Sequence, residues 1–228
     1  MIEYNRNYSI TRDRNIYKNT FKQRISRQII NRKKLNIFQN EKYNLSQENI
    51  AMVKLVSTLG TSPGGVAETL QNLSTGKYIA PFEPKEIKFD EFIVLRTKGT
   101  EEAYYALRAI LLCCVGFEKV KEVVFPFDDI ENPKDFITVR ETVREMLKPG
   151  DFMDFTGGRK AMSAAAVLSA RDVGAHLVST IIDQKEYGEM MVKFNRLKDK
   201  LSNVYSKGDC RSYFCDLMSS TTRTIVFF

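Results

Sequence analysis

One histidine, no tryptophan and no uninterrupted apolar run of eighteen residues occur in this 228-residue chain. Without such a run no membrane-spanning helix is expected. The N-terminus also lacks the charged, apolar and small stretches that follow one another in a secretory signal, so the sequence predicts a soluble cytoplasmic protein. A single histidine, His176, excludes a two-histidine acid–base pair for RNA cleavage within one subunit. Its setting, Gly174-Ala175-His176-Leu177-Val178, reads as the start of a strand with a packed or capping imidazole. Arg171 and His176 match the R-x4-H spacing of a common ribonuclease class, but they straddle a helix end and a glycine turn, so the match is read as accidental. No spacing groups Asp128, Asp129, Asp151 and Asp154 with a histidine. They are read as solvated turns and strand ends, and neither a metal site nor a cofactor is expected. Of the four cysteines, Cys113 and Cys114 lie side by side in an apolar helix and read as core. Cys210 and Cys215 could pair with each other in a hyperthermophile, and a zinc site built from all four is a lesser alternative.

The first 51 residues hold no glycine, proline, valine or cysteine, and Asn, Ile, Lys, Tyr and Arg fill 32 of their positions. They also hold the whole charge excess: 11 Lys+Arg against 4 Asp+Glu, while the remaining 177 residues are balanced at 24 against 24. The segment reads as a basic, poorly ordered extension without a core of its own. A basic arm that touches nucleic acid or an acidic partner, and a natural translation start at Met52, are the alternatives. The neutral body argues against duplex nucleic-acid binding by residues 52–228.

From Met52 onward short apolar runs alternate with helical spacing. Strands are predicted at Val53–Leu59, Phe92–Leu95, Val123–Phe127, Asp151–Phe155 and Leu177–Ile182. Helices are predicted at Val66–Leu73, Glu101–Val115, 133–147, Lys160–Val173 and Tyr187–Lys200. Repetition of strand then helix predicts an α/β domain, a mostly parallel sheet covered by helices on both faces. The apolar ending Thr224–Phe228 reads as an edge strand or a dimer contact.

Two glycine-rich turns stand at strand-to-helix junctions of this pattern. The first, Thr58-Leu59-Gly60-Thr61-Ser62-Pro63-Gly64-Gly65, combines close backbone approach with hydroxyls and the open amides of a helix N-terminus. The second, Thr156-Gly157-Gly158-Arg159-Lys160, adds two fixed cations beside another helix N-terminus. Neither is a Walker A loop nor a dinucleotide fingerprint, since the first has no lysine after its glycines and the second is too short. Simple tight packing would account for one such loop. In an open parallel sheet two loops emerge on the same edge and can form one pocket for an anionic ligand. Thr97 and Gln184, at other strand ends, are candidates for the rim.

Taken together, Met52–Gly65 and Asp154-Phe155-Thr156-Gly157-Gly158-Arg159-Lys160-Ala161-Met162-Ser163 resemble the CRISPR-associated Rossmann-fold (CARF) proteins, and among these the archaeal stand-alone ring nucleases. The resemblance covers about residues 52–228. It implies a Rossmann-like CARF domain over 52–185, with a small C-terminal extension, 186–228, completing the ligand site or dimer. It further implies a homodimer that binds cyclic tetra-adenylate and cuts it to linear di-adenylate with 2′,3′-cyclic phosphate ends. The cut needs no metal and would switch off type III CRISPR antiviral signalling. Carried over by motif, Ser62, Arg159 and Lys160 are the catalytic candidates. Gly60, Thr61, Gly64, Gly65, Thr97, Thr156, Gly157, Gly158 and Gln184 are the ligand-binding candidates. A lysine from a C-terminal loop tends to cover the ring in this family, and Lys185 and Lys207 are the candidates for it. The alternatives are a non-catalytic sensor of the same ligand that acts through a partner, and an unrelated α/β enzyme using ATP or a dinucleotide. Only about 45 residues follow the fifth predicted strand, too few for a separate effector core.

Overall fold

The computed structural model describes residues 52–228; the expectations for residues 1–51 lie outside the described residues. In chain order the elements are β1 (Val53–Thr58), α1 (Val66–Ser74), β2 (Tyr78–Ile79), β3 (Phe89–Thr97), α2 (Glu101–Ile110), β4 (Val120–Phe125), α3 (Pro133–Met146), β5 (Phe152–Asp154), α4 (Lys160–Val173), β6 (His176–Ile181), α5 (Gln184–Leu201) and β7 (Arg223–Val226). They build one seven-stranded sheet in the order β2-β7-β6-β5-β1-β3-β4. Strands β1, β3, β4, β5 and β6 run parallel to their neighbours, while β7 lies antiparallel to β6 and β2 parallel to β7. This is the Rossmann-like α/β architecture that the strand–helix alternation predicts.

Alternation along the strands sends successive residues to opposite faces. Leu55, Phe92 and Val94 join α1, α2 and α5 in one core, whereas Val56, Ile93 and Leu95 join α3 and α4 in the other. Both faces of the central strands are therefore covered, as buried parallel strands require. Helix α4 contributes Ala165, Ala166 and Ala170 to its core. Small side chains let it lie close to α3, where the Ser169 hydroxyl donates to the Arg140 carbonyl at 2.7 Å.

Three expectations are corrected. The C-terminal strand is not an edge: β2 pairs outside it, at Tyr78–Thr224 and Ile79–Ile225, and two residues are too few to leave a periodic signal. The predicted helix over 101–115 is α-helical only to Ile110, after which Leu111–Val115 forms a π turn ended by Gly116 at φ 77°. Cys113 and Cys114 lie on that turn, the segment 207–217 packs round it, and the disulfides are Cys113–Cys210 and Cys114–Cys215. Cys210 and Cys215 thus pair with the helix rather than with each other, because wrapping of the C-terminal segment places one against each helical cysteine.

Candidate functional site

Strand β1 sits between β5 and β3. The chain leaves β1 toward β3 and β4 on one side, then crosses back over α3 to enter β5 on the other. The boundary between β1 and β5 is the point at which strand order reverses, and the crevice beyond the carboxyl ends of such strands is where open α/β sheets hold ligands. Both glycine loops open at this point, the first after β1 and the second after β5.

The loops pack on each other. Gly65 has φ 85°, and a Cβ there would lie 2.5 Å from Thr156 Cγ2. Gly158 has φ 87°, and its Cβ would fall 2.7 Å from Thr58 Cβ. Any larger residue at either position would force the loops apart. The Thr58 hydroxyl also donates to the Gly157 carbonyl at 2.6 Å, and Ser163 donates to the same oxygen at 3.1 Å. These glycines serve the contact between the loops as directly as they serve the approach of a ligand.

Ser62 is nearly buried, and its oxygen accepts the Gly64 N–H at 3.1 Å. That bond leaves the hydroxyl proton available to donate. Arg159 is the N-cap of α4, and its guanidinium pairs with Asp129 in the loop after β4. The hydrogen bond from Arg159 holds the Asp129 carboxyl below the usual carboxylate range. Lys160, the first residue of α4, makes no ion pair among the described residues. With Phe155, Thr156, Gly157, Gly158 and Ser163 it lines an open hollow of about 570 Å³. Thr61 is exposed at the tip of the first loop, and Gly60 would bring a Cβ within 3.2 Å of the Gly158 nitrogen. Gln184 is exposed at the first turn of α5, on the same sheet edge. Thr97 lies apart from the hollow, at the end of β3, buried beneath the turn 98–100, and its hydroxyl has no hydrogen-bond partner.

Of the two lysines considered for the C-terminal loop, Lys207 pairs with Glu118 at 2.6 Å, ahead of β4 and on the opposite edge of the sheet. Lys185 is at the N-terminus of α5, on the edge that carries the loops. The sequence reading missed two residues here. The Tyr187 ring, 40% exposed, lies against Gly64; an aromatic in the first turn after β6 was the available signal. Arg223 opens β7 opposite Ile181 at the same edge, and only the antiparallel insertion of β7 puts it there.

His176 is remote from this edge. Its ring packs on Phe152 with centroids 4.7 Å apart, and Nδ1 donates to the Phe228 carbonyl at 3.0 Å. Two carboxylates read as solvated are buried instead. Asp151, 2% exposed, accepts the Lys54 and Lys148 amides. Asp154, with no exposure at all, lies directly beneath the loops, and burial pushes its pKa up to about 6. Both stand at the ends of β5 as expected, yet they are shut off from water because that three-residue strand is flanked on both sides by β1 and β6. Among the described residues no group of three or more His, Cys, Asp or Glu is placed to hold a metal ion.

No model of an established protein family matches the chain. It is 37% identical over 186 residues to the CRISPR system ring nuclease SSO2081 of Saccharolobus solfataricus, a match that covers 77% of this chain and 99% of that protein. The chain belongs to the CRISPR ring nuclease family.

Proposed function

We propose that the crevice between the β1 and β5 loops binds cyclic tetra-adenylate and cuts it to linear di-adenylate bearing 2′,3′-cyclic phosphate, so ending type III CRISPR signalling. The observation that supports this reading is the packing of the loop that carries Ser62 against the loop that carries Arg159 and Lys160, at the edge where strand order reverses. A ribose 2′-oxygen attacks the adjacent phosphorus, the P–O5′ bond breaks, the 2′-hydroxyl loses its proton and the leaving 5′-oxygen gains one. The substrate supplies its own nucleophile, so the protein must align it in line and stabilise the added negative charge. Ser62 holds the ribose-phosphate through its hydroxyl proton, since the expected Gly64 and Gly65 amides are engaged instead by Ser62 Oγ and by the buried Glu68 carboxylate. Lys160 bears on the developing charge and helps the leaving oxygen, and Arg159 joins it on exchanging Asp129 for phosphate. Tyr187 offers a ring face on which a base can stack.

A homodimer completes the reading. Two copies of this edge about a two-fold axis meet opposite phosphates of a four-nucleotide ring, and two cuts release two dinucleotides. Fixed cations supply the charge stabilisation, so cleavage proceeds without a metal, and residues 52–185 constitute a CARF domain whose ligand site or dimer is completed by 186–228. The test is incubation of the protein with labelled cyclic tetra-adenylate in excess EDTA, with products resolved over time. Linear di-adenylate with cyclic phosphate ends is expected. Cleavage only after Mg²⁺ is restored would overturn the metal-free mechanism. Tight binding without any cut would make the protein a sensor.

A further inference from the structure

The carboxylate of Asp154 touches the roots of both loops. Its Oδ2 accepts the Ser57 hydroxyl at 2.7 Å, on β1 just before the first loop. Its Oδ1 accepts the Thr156 N–H at 2.8 Å and the Thr156 hydroxyl at 2.5 Å, where the second loop begins. Thr156 Oγ1 in turn accepts the Thr180 N–H of β6 at 2.7 Å.

A second chain of hydrogen bonds runs alongside. Asn72 Nδ2 lies 2.9 Å from Thr224 Oγ1, Thr224 is 2.7 Å from Thr180 Oγ1, Thr180 is 2.7 Å from Thr69 Oγ1, and Thr69 donates to the Gly65 carbonyl at 2.8 Å. Each hydroxyl has one proton to give. With an amide donor at one end and a carbonyl acceptor at the other, every bond must point from Asn72 toward Gly65, the last residue of the first loop. Linked donors of this kind stiffen the groups they join.

Among the described residues no cation stands against Asp154, and its carboxyl is desolvated by complete burial. A buried carboxylate without a counter-ion costs stability. Folding rules are commonly breached at functional sites, and a buried carboxylate of this kind directly beneath a candidate site fits that pattern.

We propose that Asp154 is a positioning residue for ring cleavage: by bridging Ser57 and Thr156 it sets the separation at which Ser62 and the Arg159–Lys160 pair act on one phosphate. The proposal rests on the function proposed above. Asp154 lies behind the loops and acts through them. Binding is spread over several phosphates and bases and depends weakly on that separation, whereas in-line attack depends on it steeply, a displacement of 1 Å costing about a hundred-fold.

The experiment compares wild type, Asp154→Asn, Thr156→Val and Thr156→Ser. For each, the Kd for cyclic tetra-adenylate, the single-turnover cleavage rate, and the amide hydrogen exchange of segments 57–64 and 155–163 are measured. In Asp154→Asn the rate is expected to fall about 10- to 100-fold with Kd within about 3-fold, in Thr156→Val the rate is expected to fall as far, and in both variants the two loop segments are expected to exchange faster together. Thr156→Ser, which keeps the hydroxyl, regains most of the rate. An unchanged rate in folded Asp154→Asn, a rate and Kd that fall in proportion, or Thr156→Ser as impaired as Thr156→Val would each overturn the proposal. A wild-type protein that leaves the ring uncut overturns the functional reading, and with it the catalytic half of this one. Exchange then still decides the coupling of the loops, which stands only if both segments loosen together in Asp154→Asn.

Discussion

Burial and ion pairing push two aspartates at this edge in opposite directions. Asp129 is drawn down by Arg159, whereas Asp154 is driven up to about 6 by desolvation. For Asp154 the folded-state pKa exceeds the unfolded one, near 3.8. The folded chain therefore holds the proton more tightly, and this contribution to stability is complete below about pH 4 and is lost as pH rises through 6. A shift of about two units corresponds to roughly 3 kcal/mol. Asp154→Asn is thus expected to match or exceed wild-type stability at pH 8 while losing its advantage at pH 5, as denaturant unfolding at the two values would record. At the reacting edge, Lys160→Ala and Ser62→Ala are each expected to slow single-turnover cleavage on the order of a hundred-fold or more. Near-wild-type turnover in either would remove that residue from the catalytic set. The loops that carry Ser62, Arg159 and Lys160 were legible in the sequence because they are contiguous strings. The bridging position of Asp154 was not, since its partner Ser57 lies 97 residues away in the chain.

Among the elements, the two loops behave as one unit because each occupies space that the other would need. Gly65→Ala places a methyl against Thr156 at a backbone conformation that L residues avoid. It is expected to cost about 1–3 kcal/mol, read by thermal unfolding, and to slow cleavage by separating the loops. The strands and helices were legible wherever periodicity ran long enough. Helix α4 matches its predicted span at both ends, and α5 extends it by three residues at the start, where Asp183 caps the helix through the Lys185 and Glu186 amides. Strand β2, at two residues, carries no pattern to detect. The π turn at 111–115 carries two cysteines whose disulfide partners lie about a hundred residues away, and local composition encodes neither the turn nor the pairing.

Across the whole molecule, the disulfides fasten the segment after α5 to the end of α2, on the edge away from the loops. Each closes a loop of about a hundred residues, worth roughly 4–5 kcal/mol in the chain-entropy account. Because the two loops nearly coincide, the second adds much less than the first. Reduction is expected to lower the melting temperature markedly while leaving the cleavage rate at 25 °C little changed, since the crosslinks lie at the far edge; a parallel loss of rate in folded, reduced protein would contradict this. The sequence by itself determined the α/β class, the strand–helix order and the two loops, because each depends on local periodicity and on short strings of glycine, hydroxyl and cation. Tertiary structure alone decided which strands are neighbours, that β7 enters the sheet antiparallel with Arg223 at the edge that carries the loops, which cysteines pair, and that Asp154 is sealed from water beneath the crevice. Those outcomes depend on contacts between residues far apart in the chain, and they are set by how the two cores close around the sheet.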